Sequence, residues 1–199
     1  ASNGTLARSL LLGSDYQDLI DDNTTTLGVA STTVEAQESD DVAVFGIDID
    51  SFLLPNITEG RSIESKTEVI LADKLKDAGV ALNQEFTFKG SDEQYRVVGF
   101  TDRATYQTAP IVYMDVAQWR SLASEIAGMS GMRDDTTVNA IVTKGDFDQT
   151  ELDRSTLVWR SIGNYSSSLP GYNAQVLTFS MMIGFLIAIA SFVLAIFMY

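Results

Sequence analysis

Residues 69–100 read VILADKLKDAGVALNQEFTFKGSDEQYRVVGF, and their punctuation decides the fold class. Thr67–Leu71 ends in an apolar, β-branched run and reads as a strand. Ala72–Ala78 reads as a short helix, with Gly79 where a helix end most easily takes a left-handed residue. Two strands follow, Glu85–Lys89 and Tyr95–Phe100, around the turn-forming Gly90-Ser91-Asp92. Strand alternation puts Phe86 and Phe88 on one face, and Val98 with Phe100 on one face. A strand and helix feeding a hairpin predict an α+β arrangement.

The flanks extend this reading. Thr24–Gln37 is a Thr- and Val-rich strand, Glu38–Asp41 a charged turn, and Val42–Ile47 a buried strand that Ser51–Leu54 closes before Pro55. Pro110–Met114 is another strand. Asp115 then caps a helix, with Gln118 in capping-box position and Trp119, Leu122 and Ile126 on the buried face. Thr137–Thr143 is a strand, and Asp148 with Glu151 repeats the cap for a helix reaching about Trp159. Upstream, Leu6, Leu10, Tyr16, Leu19 and Ile20 fall at roughly helical spacing within Thr5–Ile20, interrupted by Gly13. The expectation is a compact mixed domain over residues 1–175, of about six or seven strands and about three short helices.

Residues 176–199, VLTFSMMIGFLIAIASFVLAIFMY, contain no charged side chain; all 13 basic and 27 acidic residues precede them. A hydrocarbon core of roughly 30 Å takes about 20 apolar residues at about 1.5 Å rise, so the segment reads as a transmembrane helix. Arg160 is the last basic residue before it, and the neutral stretch 161–175 supplies no positive-inside signal. Residues 1–175 are therefore expected outside the cytoplasm. The chain begins without Met and stops before any basic flank, as expected of a fragment of a longer, multi-pass membrane protein. Ser180, Gly184, Ala188, Ser191 and Ala195 share one helical face. Small residues let helices approach closely in lipid, so this face is a candidate packing surface; the same residues are also common in spans at large.

A net charge of −14 disfavours nucleic acid and anionic lipid headgroups as partners. There is no His and no Cys, which removes the usual general base, the thiolate nucleophile and most transition-metal sites. A carboxylate mechanism stays open for an enzyme, but no acid pair is spaced for one. Asp48 and Asp50 lie on one face if extended, either as ligands for a hard cation or as a solvated strand edge. The Gly145–Asp153 run lacks the glycine and glutamate of a calcium loop, and its acids read as a helix cap. Asn3, Asn23, Asn56 and Asn164 each begin a glycosylation sequon, a pattern frequent by chance in Thr-rich loops.

The order of residues 69–100, with Val97-Val98-Gly99 ending the hairpin, resembles the extracytoplasmic domain of MacB/FtsX-type ABC transporter permeases. VFGIDIDSFLLPNITEG (44–60), TAPIVYMDVAQWRSL (108–122) and the stretch from Leu169 to Tyr199 also resemble the heme-efflux permeases of Gram-positive bacteria. The likeness covers roughly residues 42–199 and is weaker before them. It implies a homodimeric permease in the cell membrane, driven by a separate cytoplasmic ABC ATPase, with no catalysis and no cofactor in this chain. It also implies export of a hydrophobic substrate, with heme the candidate. Tyrosinate can ligate ferric heme iron, so Tyr172 in PGY is carried over as a substrate contact, followed by Tyr113, with Phe179, Met181 and Met182 as cavity-lining candidates. By its residue type and place, Tyr172 reads first as an interfacial anchor, and Tyr113 first as a packed strand residue. The rival to transport is a single-pass or FtsX-like module that binds or regulates an extracellular partner.

Overall fold

The computed structural model describes residues 6–36, 39–128 and 136–145, together with Ile183 and Ile187. The chain divides into two units, Ala1–Val158 and Trp159–Tyr199. The first carries the domain described below. In the second, Ile183 and Ile187 are helical and exposed. Among the described residues no helix is long and apolar enough to cross a membrane. The span expected at 176–199, the domain boundary at 175, and the helix expected from Asp148 otherwise lie outside the described residues.

Among the described residues the domain is a nine-stranded mixed sheet with short helices, an α+β fold. The strands are β1 (Thr24–Glu35), β2 (Asp40–Ile47), β3 (Glu59–Gly60), β4 (Glu68–Ala72), β5 (Glu85–Phe88), β6 (Gln94–Thr101), β7 (Thr105–Tyr106), β8 (Ala109–Asp115) and β9 (Ala140–Thr143). The strand count exceeds expectation because β3 and β7 have 2 residues each, too short for any periodicity to betray them. β2 pairs with β1, β1 with β5, β5 with β6, β6 with β4, β4 with β8, and β8 again with β2. The pairings close on themselves, so these strands form a small barrel with a filled interior.

That interior is the main core. Val42, Val44, Val69, Leu71, Phe86, Phe88, Tyr95, Val97, Phe100, Val112 and Met114 meet inside it. Phe88 meets both Phe86 and Tyr95 edge-on, with centroids 4.9 Å apart for Phe88–Tyr95. Helix α2 (Val116–Ile126; α1 is the single turn Gly13–Tyr16) contributes Trp119 and Leu122 to the same core. As expected, Asp115 caps α2, its Oδ1 accepting from the Ala117 N–H at 2.8 Å. Gln118 does not complete the box: its amide donates instead to the Tyr95 hydroxyl at 3.3 Å, because that buried phenol needs a partner.

Gly28 of β1 and Gly46 of β2 are cross-strand partners, and a Cβ on either would fall inside the Trp119 side chain. The glycine pair is the notch that admits the indole.

Five sequence expectations change. Val98 and Phe100 do not share a face, because the register of β4 against β6 slips between Val69 and Ile70 and leaves Val98 as the extra residue of a bulge. Phe100 points into the barrel while Val98 packs outside with Ile63 and Ile70. The helix expected at 72–78 is only a 3₁₀ turn, Asp73–Lys76, although Gly79 does end it with φ +82°. Thr5–Ile20 is no continuous helix: it breaks into Leu6–Arg8, α1 and Gln17–Leu19, because Leu11 instead pairs with Val138. Ser51–Leu54 is a turn rather than a strand end, and β9 starts at Ala140 rather than Thr137.

Candidate functional site

The outer face of the barrel carries an aromatic surface, and its position follows from strand alternation. Tyr113 of β8 lies opposite Phe45 of β2 on one side and Ile70 of β4 on the other. With Val112 and Met114 committed to the core, Tyr113 must point outward. Its ring meets Phe45 edge-on at 5.9 Å, and Phe45 meets Tyr106 of β7 at 5.6 Å. Leu53 and Leu54, on the turn after β2, pack against the same cluster, and Phe52 on that turn is 40% exposed.

Asp48 builds the turn: its carboxylate accepts from the Asp50 N–H at 3.0 Å and its carbonyl from the Ser51 hydroxyl at 2.6 Å. That local use explains the Asp48/Asp50 pair as turn chemistry. Among the described residues no group of three or more His, Cys, Asp or Glu side chains could hold a metal ion.

Tyr113 is half-buried, and among the described residues its hydroxyl has no hydrogen-bond partner. Burial pushes its phenol up, which disfavours the tyrosinate that would bind ferric iron. The surface thus offers apolar ring edges and no poised acid or base. Tyr113→Phe is expected to shift unfolding stability by no more than about 0.5 kcal/mol, since the hydroxyl lost has no hydrogen-bond partner among the described residues. A shift in the denaturation midpoint worth several times that would reveal a bonded hydroxyl. Of the other site candidates, Tyr172, Phe179, Met181, Met182, Ser180, Gly184, Ala188, Ser191 and Ala195 lie outside the described residues.

Beside this face stands a charged cluster that no motif announced. Glu68 at the start of β4 is buried, and its carboxylate accepts from Arg61 Nη1 at 2.8 Å and Nη2 at 2.5 Å. It also accepts from the backbone N–H of Glu64 at 2.8 Å and Ser65 at 3.2 Å. The Arg61 guanidinium, before the backbone donors, holds Glu68 down at about 2. The cluster fixes the 61–67 loop over the outer sheet face. Lys76 adds a second tie, bonding Glu59 at 2.5 Å and lying 4.4 Å above the Phe100 ring.

The sequence also concealed Asn139, which is 4% exposed. Its Oδ1 accepts from the Val29 N–H at 2.6 Å, and its Nδ2 donates to the Ser9 carbonyl at 2.7 Å. A buried Asn with both ends used has no sequence signature, since its partners are more than a hundred residues away.

The permease resemblance in the sequence meets the same group of proteins in comparisons with known ones. Among solved structures, the chain is similar to the periplasmic region of MacB from Actinobacillus actinomycetemcomitans. That match has 17% identity and a TM-score of 0.49, covering 70% of this chain and 68% of that one. It is also similar to the extracellular domain of the noncanonic ABC-type transporter YknZ from Gram-positive bacteria, with 13% identity and a TM-score of 0.49, covering 81% and 79%. No family model matches the chain. Among curated proteins, it is 21% identical over 111 residues to one of Staphylococcus haemolyticus assigned, by name, as hemin transport system permease protein HrtB. That match takes in 56% of this chain but only 31% of the relative's length.

Proposed function

We propose that this chain is the outer domain, with a following membrane segment, of a permease subunit of an ABC-type efflux transporter. Hemin is the candidate substrate. The observation that carries the reading is the 111-residue match to a relative named for hemin transport and for the permease role. The uncharged run at 176–199 supports it, because it directly follows an acidic domain and is long enough to cross a bilayer. In this reading ATP is hydrolysed by a separate cytoplasmic subunit. Two copies of the permease work together, and the outer domain responds to movement of the spans to which it is joined.

The chemistry on the outer face is compatible with an apolar cargo. Phe45, Tyr106 and Tyr113 present ring edges rather than charge. Tyr172, next to the membrane segment, is the residue proposed to contact heme iron.

The test is ATP hydrolysis by whatever co-purifies with the full-length protein from membranes, with and without hemin. The expected result is a bound ATPase that hemin stimulates, with stimulation lost in Tyr172→Phe. An ATPase indifferent to hemin would keep the permease and remove the substrate. If no ATPase co-purifies in mild detergent, the transporter reading fails and a membrane-anchored binding module replaces it.

A further inference from the structure

The segment before β1 is built unlike the rest of the domain. Residues 6–20 contain only one-turn helical pieces, none long enough to be cooperative alone. Leu10, Leu12 and Ile20 point to solvent at 49%, 43% and 42% exposure. Leu11 and Tyr16 are buried, but in a satellite cluster with Val138 that is separate from the barrel core. The segment is hydrogen-bonded to residues 136–139. Leu11 and Val138 exchange backbone bonds at 2.8 and 3.0 Å, the Gly13 N–H donates to Thr136 Oγ1 at 3.0 Å, and the Tyr16 hydroxyl donates to the Thr136 carbonyl.

Asn139 joins this assembly to the sheet. The β1–β9 ladder ends at the Leu27–Ala140 pair. Beyond it the Val29 N–H of β1 is satisfied by the Asn139 side chain instead of by a strand. The same side chain turns its amide to the carbonyls of Ser9 at 2.7 Å and Ala7 at 3.4 Å. Asparagine suits the position because one planar group both accepts and donates. That side chain ties the segment to β1, beside the bonds that Leu11, Gly13 and Tyr16 make to residues 136–138.

We propose that residues 6–20 are a detachable strap latched by Asn139, whose release lets out chain ahead of β1 while the barrel stays closed. Extended chain runs about 3.3 Å per residue, so a displacement arriving at the start of the domain is taken up by the strap before any barrel strand feels it. Release also uncovers Val138, Val116 and Ile141, the apolar floor on which Leu11 and Tyr16 rest. The proposal stands whether or not the chain serves a transporter.

Native-state hydrogen exchange on the full-length protein tests it. In the wild type, the amides of Leu11, Gly13, Val138 and Val29 should share one opening. That opening should need less denaturant than the opening that exposes Val97, whose N–H is bonded within the barrel wall to Gln84. Asn139→Ala should speed all four by roughly thirty-fold, from losing buried hydrogen bonds, and leave Val97 unchanged. Asn139→Asp keeps the acceptor for Val29 but loses the donor, so Leu11, Gly13 and Val138 should accelerate more than Val29. Exchange of the strap amides only together with Val97 would overturn the strap. Unchanged Leu11 and Gly13 in Asn139→Ala would overturn the latch. If neither variant folds, the wild-type comparison alone decides.

Discussion

Trp119→Ala is expected to cost about 4 kcal/mol, the upper range for removing a buried aromatic side chain. Trp119 is 1% exposed and fills the barrel over the Gly28–Gly46 pair. The hole left behind is bounded by strand backbone at the glycines, which cannot collapse inward without breaking the β1–β2 ladder. Trp119→Phe should cost much less, about 1.5 kcal/mol, because the indole N–H has no partner among the described residues and nothing polar is orphaned by its loss. Gly46→Ala, which pushes a methyl into the indole, should cost about 2 kcal/mol by overpacking. In the Trp119→Ala background the same change should cost under about 0.5 kcal/mol, since the new methyl enters the vacated space. Guanidinium unfolding followed by far-ultraviolet circular dichroism reads the wild type and all four variants without relying on the tryptophan. Additive costs would mean the glycines are not there for the indole.

Glu68→Gln should cost about 2 kcal/mol at neutral pH, by replacing charge-assisted hydrogen bonds with neutral ones. The loss stays below that of a fully buried ion pair because Arg61 is 46% exposed and is rehydrated when its partner goes. The pH dependence follows from the depressed carboxyl. Glu68 titrates at about 2 in the folded protein against a usual 4.5. Its contribution is therefore complete above about pH 4.5 and disappears as pH falls toward 2. The gap in stability between wild type and Glu68→Gln should narrow over that window and stay flat above it. A gap that holds constant down to pH 2.5 would show that the carboxylate charge does not stabilise the loop.

What could be read ahead of the structure was local. The 85–100 hairpin, the left-handed Gly79 and the Asp115 cap depend on residues a few positions apart, and each formed where its chemistry pointed. The failures that moved the fold most were long-range. Leu11 takes Val138 as its partner, so the helical spacing of 5–20 was outcompeted by a bridge across the chain. The bulge at Val98 depends on how β4 meets β6, which periodicity within β6 does not encode. Arg61, Glu68 and Asn139 reveal their roles only through their neighbours. Tyr113 was legible as a strand residue, but its place beside Phe45 needed the parallel β2–β8 pairing.

That pairing also governs when the domain can become whole. β2 finds a neighbour in β1 a few residues away, but its second neighbour, β8, lies more than sixty residues further along the chain. β4 likewise waits for β8, and β1 waits for β9. Until β8 is made, β2 and β4 keep an open edge able to pair with another chain, as do all unfinished sheets. Ring closure is then dominated by contacts far apart in sequence, the condition under which folding is slow and aggregation competes. A ribosome that has delivered only the first hundred residues holds a hairpin-rich intermediate, and the arrival of β8 and its attached helix turns that open sheet into a sealed one.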